Sequence, residues 1–184
     1  MKKVIKLILS LLSSPIFKLN FYFFKGRNNN SDLIVLDIDN TLADTWRELD
    51  KLSRLCNYGN LPTLPGTIHE IDAKYSGKPR IFLSNRNLLT FLTTRKWLMK
   101  NNLYNRSKDL LILTSSPEQK LYFLRKLDTN NRTVFYYDDL SFNHENGEVK
   151  FYEKVIEQVK KMTIIYFDYN HILKLNSNDH NTGN

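Results

Sequence analysis

Cysteine is almost missing from this chain. Cys56 is the only one among 184 residues, so no internal disulfide can form and no cysteine-rich zinc site can be built. A reducing compartment such as the cytoplasm suits that composition, as does a fold that needs no covalent staple. Acid is missing from the N-terminal segment. Residues 1–30 carry Lys2, Lys3, Lys6, Lys18, Lys25 and Arg27 without a single Asp or Glu, while the other 154 residues hold 21 bases and 19 acids. The net charge of +8 thus belongs mostly to the N-terminal segment. The remainder is close to neutral, which does not favour a nucleic-acid groove there. A bilayer-spanning run of ~20 apolar residues is missing too, because Lys6, Pro15, Lys18 and Asn20 interrupt the one candidate stretch.

What residues 1–25 do contain is a basic amphipathic pattern. At ~100° per residue, Lys2, Lys3, Lys6, Ser10 and Ser13 share one arc, and Val4, Ile5, Leu7, Ile8, Leu9, Leu11 and Leu12 cover the other side. The spacing predicts a helix that ends near Pro15. Three roles are open for it. It can lie on a membrane surface with its lysines at anionic headgroups, at the inner face of the membrane, with Phe21–Phe24 as further anchors. It can dock on the protein's own core or on a partner. It can be a secretion signal, although Lys6 breaks the apolar stretch and no clear cleavage site follows.

Residues 26–32, "GRNNNSD", read as a polar linker. From residue 33 the chain alternates between short apolar runs and helical spacing. Strands are expected at 33–36, 80–83, 110–113, 133–137 and 163–167. Helices are expected at 45–55, 67–75 (with Thr67 as cap), 88–100, 117–127 and 151–161. "SPEQ", 116–119, has the pattern of a capping box with Pro117 at the first helical position. "NHENGEV", 143–149, is a turn with a hairpin tip at Asn146-Gly147. Residues 176–184 read as a flexible tail, which bounds the main domain at 33–175. Repeated alternation of this kind predicts an α/β fold, a three-layer sandwich around a mostly parallel five-stranded sheet. In such sheets ligands bind beyond the carboxyl ends of the strands.

Those ends carry polar side chains in number. Asp37, Asp39 and Thr41 follow the first run, and Ser84, Asn85 and Arg86 the second. Thr114, Ser115 and Ser116 follow the third, with Lys120 one turn into the next helix. Asp138 and Asp139 follow the fourth. Each alone is an ordinary helix or turn cap. Together they place several carboxylates at one sheet edge, where they repel unless a cation neutralises them. All-oxygen ligands suit Mg²⁺, which also pairs with substrate phosphate.

"DIDNTLADT" at 37–45 resembles the first motif of the haloacid dehalogenase superfamily of phosphohydrolases. "IFLSNR", "SSPEQK" and "VFYYDDL" resemble its second, third and fourth motifs, in order, over residues 33–168. The resemblance implies a Rossmann-like fold and an aspartyl-phosphate mechanism. Asp37 is then the nucleophile and Asp39 the general acid and base. Mg²⁺ is held by Asp37, Asp39 through its backbone carbonyl, and the Asp138/Asp139 pair. Ser84 binds the phosphoryl oxygens, with Asn85 and Arg86 as further substrate-binding residues (a surface salt bridge being the alternative for Arg86), and Lys120 neutralises charge. Thr41 stabilises the turn after the nucleophile, and Asp168 at the end of the fifth strand has a structural role.

Family members often carry a cap domain over the site. The segments where one is inserted are short here, so no sizeable cap is expected, and an open site suits an extended or surface-borne phosphate ester. Three functions follow. The first is a Mg²⁺-dependent phosphatase acting on a small, lipid-linked or macromolecular phosphate monoester. The second is a nucleic-acid-end (3′-phosphate) phosphatase, since "SPEQK" and "DD" resemble the polynucleotide 3′-phosphatase branch. The third is a non-catalytic scaffold on the same fold.

Overall fold

The computed structural model describes residues 2–45, 57–145, 148–150 and 152–177. At its centre the apolar run Leu33–Leu36 forms strand β1, buried along its whole length. A strand with no polar position has to be covered on both faces, and the sheet is built accordingly. β2 is Arg80–Ser84, β3 Leu110–Leu113, β4 Val134–Tyr137 and β7 Ile165–Phe167, in the order β3-β2-β1-β4-β7. All four pairings are parallel. β5 (Asn143–Glu145) and β6 (Glu148–Lys150) form a separate antiparallel pair; the hairpin tip expected at 146–147 lies outside the described residues.

Among the described residues six α-helices accompany the sheet: α1 Lys2–Arg27, α2 Pro65–Tyr75, α3 Phe91–Lys100, α4 Pro117–Leu127, α5 Glu153–Lys160 and α6 Tyr169–Ser177. The result is the α/β architecture that the alternation predicts. No cap is evident among the described residues. The helix expected at 45–55 falls on residues 46–56, outside them.

α1 differs from its expected form. It runs through Pro15 to Arg27 instead of ending there. An interior proline costs a helix roughly 3 kcal/mol. Phe17, Phe21 and Phe24, spaced four and three residues apart, are all buried in the core. Each buried ring is worth ~1.5–3 kcal/mol, enough together to outweigh that cost. Phe21 meets Phe123 of α4 edge-on at 5.2 Å, and Phe17 meets Phe91 at 5.6 Å. The aromatic run is therefore split: Phe21 and Phe24 face the core, Tyr22 and Phe23 face solvent. The segment expected as a linker is tied down as well. Asp32 accepts from Lys78 Nζ (2.5 Å) and from the Thr133 N–H (3.1 Å).

α6 has no counterpart in the sequence reading. Asp168 caps it by accepting from the His171 N–H at 3.1 Å, the structural role expected of that residue. Its other end completes α2. The residue before α2 is Leu64, which has no side-chain acceptor. Asn176 takes the cap's place, its Oδ1 accepting from the N–H groups of Gly66 (2.9 Å) and Thr67 (3.4 Å). Thr67 is thus no cap; it is buried within α2 and accepts from Asn176 Nδ2 at 2.8 Å. The expected capping box on α4 is also modified. Ser116 makes no side-chain cap bond, and Gln119 Oε1 accepts from the Ser115 N–H at 3.1 Å.

The α2–α6 contact sets a sharp packing limit. A Cβ built on Gly66 would stand 2.2 Å from the Leu175 carbonyl oxygen. Gly66→Ala has to push the two helices apart, so it should lose about 1–3 kcal/mol. A thermal melt should show Tm lower by several degrees, and an unchanged Tm would contradict the packing.

Candidate active site

The chain leaves β1 at the centre of the sheet, turns to β2 and β3 on one side, and later returns to β4 and β7 on the other. That reversal makes the carboxyl end of β1 the switch point where ligands bind in open sheets. Asp37 occupies it. Its N–H still donates to the Tyr137 carbonyl at 2.9 Å, so its position is set by the β1–β4 ladder. Beyond it the backbone folds back tightly. The Ile38 carbonyl accepts from Leu42 (3.0 Å) and Ala43 (2.8 Å), and Asn40 takes a left-handed φ of 53°. Asparagine is among the few non-glycine residues that tolerate this region. Its Oδ1 accepts from Thr45 Oγ1. Thr41 is fully buried in this turn, and its hydroxyl has no partner; the turn is held by backbone bonds.

Side chains from the end of β4 and from α4 converge on Asp37. Lys120, from the first turns of α4, is buried and donates to Asp37 Oδ1 and to Asp138 Oδ2, both at 2.7 Å. Asp138 Oδ2 also accepts from the hydroxyl of Tyr136. One ligand atom from each of Asp37, Asp138 and Asp139 lies within 4.8 Å of the others, and all three residues are buried. Asp139 Oδ2 has no hydrogen-bond partner, nor has Ser84 Oγ at the end of β2. Buried polar atoms without partners are rare in folded proteins, and these two belong to residues at the same sheet edge, as Thr41 does.

The charge balance is uneven. One ammonium stands among three buried carboxylates. Burial pushes the Asp37 carboxyl up to about 7, against the pull of Lys120 and helped by the charges of Asp138 and Asp39. Burial, then the charges of Asp37 and Asp138, hold Asp139 well above the usual carboxylate range. Lys120 is driven the other way. Its burial disfavours the ammonium, but Asp138 and Asp37 more than compensate and raise it above its ordinary value. The cluster is short of positive charge, and its donors are all oxygen. A divalent cation satisfies both conditions. The residues present therefore fit the metal that the sequence motifs imply.

Asp39 is not part of that cluster. Its side chain is 28% exposed, and both carboxylate oxygens are held by Arg86, Nε to Oδ2 and Nη2 to Oδ1, each at 2.7 Å. Arg86 itself is buried. Its Nη1 donates to Thr94 Oγ1 at 3.2 Å, and its guanidinium lies 4.7 Å from the centre of the Tyr58 ring. A fork-to-fork pair of this kind is the strongest common form of carboxylate recognition. All of the sequence-predicted residues thus lie along the strand-end edge, but Arg86 serves Asp39 and is not placed as an open substrate contact. Asn85 is half-buried between Ser84 and Arg86.

Tyr136, Tyr58 and Thr94 were not among the expected site residues. Tyr136 stands two positions before Asp138, on the same face of β4 by strand alternation, so period-two spacing could have found it. Tyr58 and Thr94 sit far from the motifs and leave no local mark.

In the unfolded chain Asp37 ionises near the ordinary carboxylate value, about 4. In the folded, metal-free chain it keeps its proton up to about 7. The folded state therefore binds more protons between those values, and stability is lost as pH rises through them. Asp37→Asn has no such titration. In EDTA, the Tm of wild type relative to Asp37→Asn should fall between pH 4 and pH 8; a constant difference would show that the carboxyl is not raised.

No protein-family profile, curated protein or solved structure matches the chain.

Proposed function

We propose that this protein is a Mg²⁺-dependent phosphatase of the haloacid dehalogenase type. It would hydrolyse a phosphate monoester through an aspartyl-phosphate on Asp37. The observation that carries this reading is the meeting, at one sheet edge, of Asp37 and Lys120 with two buried unpartnered oxygens, Ser84 Oγ and Asp139 Oδ2. An anionic oxygen-rich ligand would give Ser84 Oγ a partner, and a cation would give Asp139 Oδ2 one.

Asp37 attacks phosphorus opposite the leaving oxygen. A bond forms between its carboxylate oxygen and phosphorus as the ester P–O bond breaks, and the leaving oxygen takes a proton from Asp39. Asp39 then takes a proton from water, whose oxygen attacks phosphorus. The bond to Asp37 breaks, and inorganic phosphate leaves. Ser84 Oγ donates to the phosphoryl oxygens. Lys120 favours the ionised, attacking form of Asp37 against the effect of burial, and offsets charge on the transferring group. Asp37, Asp138 and Asp139 would hold Mg²⁺, with the Asp39 carbonyl as the ligand that the motif implies; Asp139 brings the least encumbered oxygen. When bound, Mg²⁺ supplies positive charge to the phosphoryl oxygens and lowers the Asp37 pKa.

Arg86 adds a constraint on Asp39. With both oxygens gripped, Asp39 must release one donor to carry a proton. The grip holds the carboxylate in place, and Arg86 acts as a positioning residue.

Hydrolysis of 4-nitrophenyl phosphate tests the reading. Activity should require Mg²⁺ and be abolished by EDTA. Asp37→Asn should reduce it by about 10³-fold or more, and activity that survives there would overturn the mechanism. Arg86→Lys keeps the charge but loses the two-pronged grip. It should lower kcat by roughly 10–100-fold and leave KM little changed. A rise in KM at constant kcat would instead return Arg86 to direct substrate contact.

A further inference from the structure

α1 carries two apolar faces, and the protein uses only one. Phe17, Phe21 and Phe24 turn inward. On the other side Ile16, Leu19 and Phe23 are 54%, 57% and 71% exposed, and Tyr22 beside them is half-exposed. Leu89 and Leu92 are exposed too, at 49% and 60%. They lie on the turn 88–90 and the start of α3, where Phe17 of α1 packs on Phe91. Scattered exposed apolar residues need no explanation, but a contiguous set does. In the sequence the positions 16, 19 and 23 continue a series that begins with Ile5, Ile8 and Leu12, at steps of three and four residues. α1 is helical across that whole series.

We infer that this outer face of α1, with Leu89 and Leu92, is a docking surface for an anionic lipid bilayer. Charge selects the occupant. The helix and its C-terminal end carry six basic side chains and no acid. A second copy of the chain docked face to face would bring like charges together, whereas anionic headgroups neutralise them, each nearby Lys or Arg adding attraction. Phe23 and Tyr22 are residue types that settle at the headgroup level. No helix among the described residues is long and apolar enough to cross a membrane, so the contact is one of a helix lying in the interface. Of the aromatic run 21–24 only Tyr22 and Phe23 remain for this face, because the domain occupies the side of Phe21 and Phe24. Leu89 and Leu92 follow Arg86 by three and six residues, so in the chain the docked face adjoins the segment 85–87 that leaves the end of β2.

The test is sedimentation of the full chain with vesicles of phosphatidylcholine alone, or with about 30% phosphatidylglycerol. The protein should bind the anionic vesicles at least tenfold more tightly, and the binding should weaken as NaCl rises. Leu19→Glu/Phe23→Glu should weaken it tenfold or more with the circular dichroism spectrum and Tm of wild type. Phe23→Ser, a milder change, should act in the same direction. Undiminished binding by both variants would overturn the proposal, as would failure of wild type to bind anionic vesicles. A dimer on gel filtration that Leu19→Glu/Phe23→Glu dissociates, without vesicle binding, assigns the face to a second copy and overturns it also.

Discussion

One ammonium holds the strand-end edge together. Lys120 bridges Asp37 and Asp138, which end two neighbouring strands, and all three groups are removed from water. Burial of a charge is costly unless it is paired and hydrogen-bonded. The lysine makes it tolerable for one carboxylate to stand at the end of each central strand. It does so incompletely, since Asp139 remains without an equal partner. The sheet therefore ends in a site that is folded but electrostatically unfinished. A cation is one chemistry that would relieve that imbalance.

The second ion pair works differently. Arg86 and Asp39 satisfy each other fully, with Thr94 and Tyr58 packed around the guanidinium. Nothing in that group calls for a ligand. It fixes the direction of a carboxylate that stays partly open to solvent, a few residues from the buried one. The two aspartates of a single short motif thus occupy opposite environments. One is buried, with its proton affinity raised. The other is exposed on one side and clamped on the other. Two carboxylates with different surroundings are what a division between nucleophile and proton carrier requires.

Much of the fold could be read in advance because its signals are local. Leu33–Leu36 announces a strand covered on both faces, and the residues just past each apolar run fall at the ligand edge by topology alone. What escaped was whatever depends on distant partners. Arg86 was placed on the right edge, but its target could not be known, since spacing does not say where a long side chain points. The proline rule ended α1 too early, because the gain from docking Phe17, Phe21 and Phe24 on the domain is not visible in the helix itself. α6 is a short helix whose purpose, through Asn176, is to cap another helix more than a hundred residues earlier. No window of sequence contains both halves of that arrangement.

That remote cap bears on how the chain matures as it is made. Synthesis proceeds from the N-terminus, and domains fold as their parts emerge. Residues 65–75 leave the ribosome long before residue 176. Until then the first turn of α2 has backbone donors with no side chain to receive them, and Gly66 has no Leu175 against which to pack. The helix 169–177 acts as a clasp that closes on α2. The sheet reaches its finished form only when nearly the whole domain has been released.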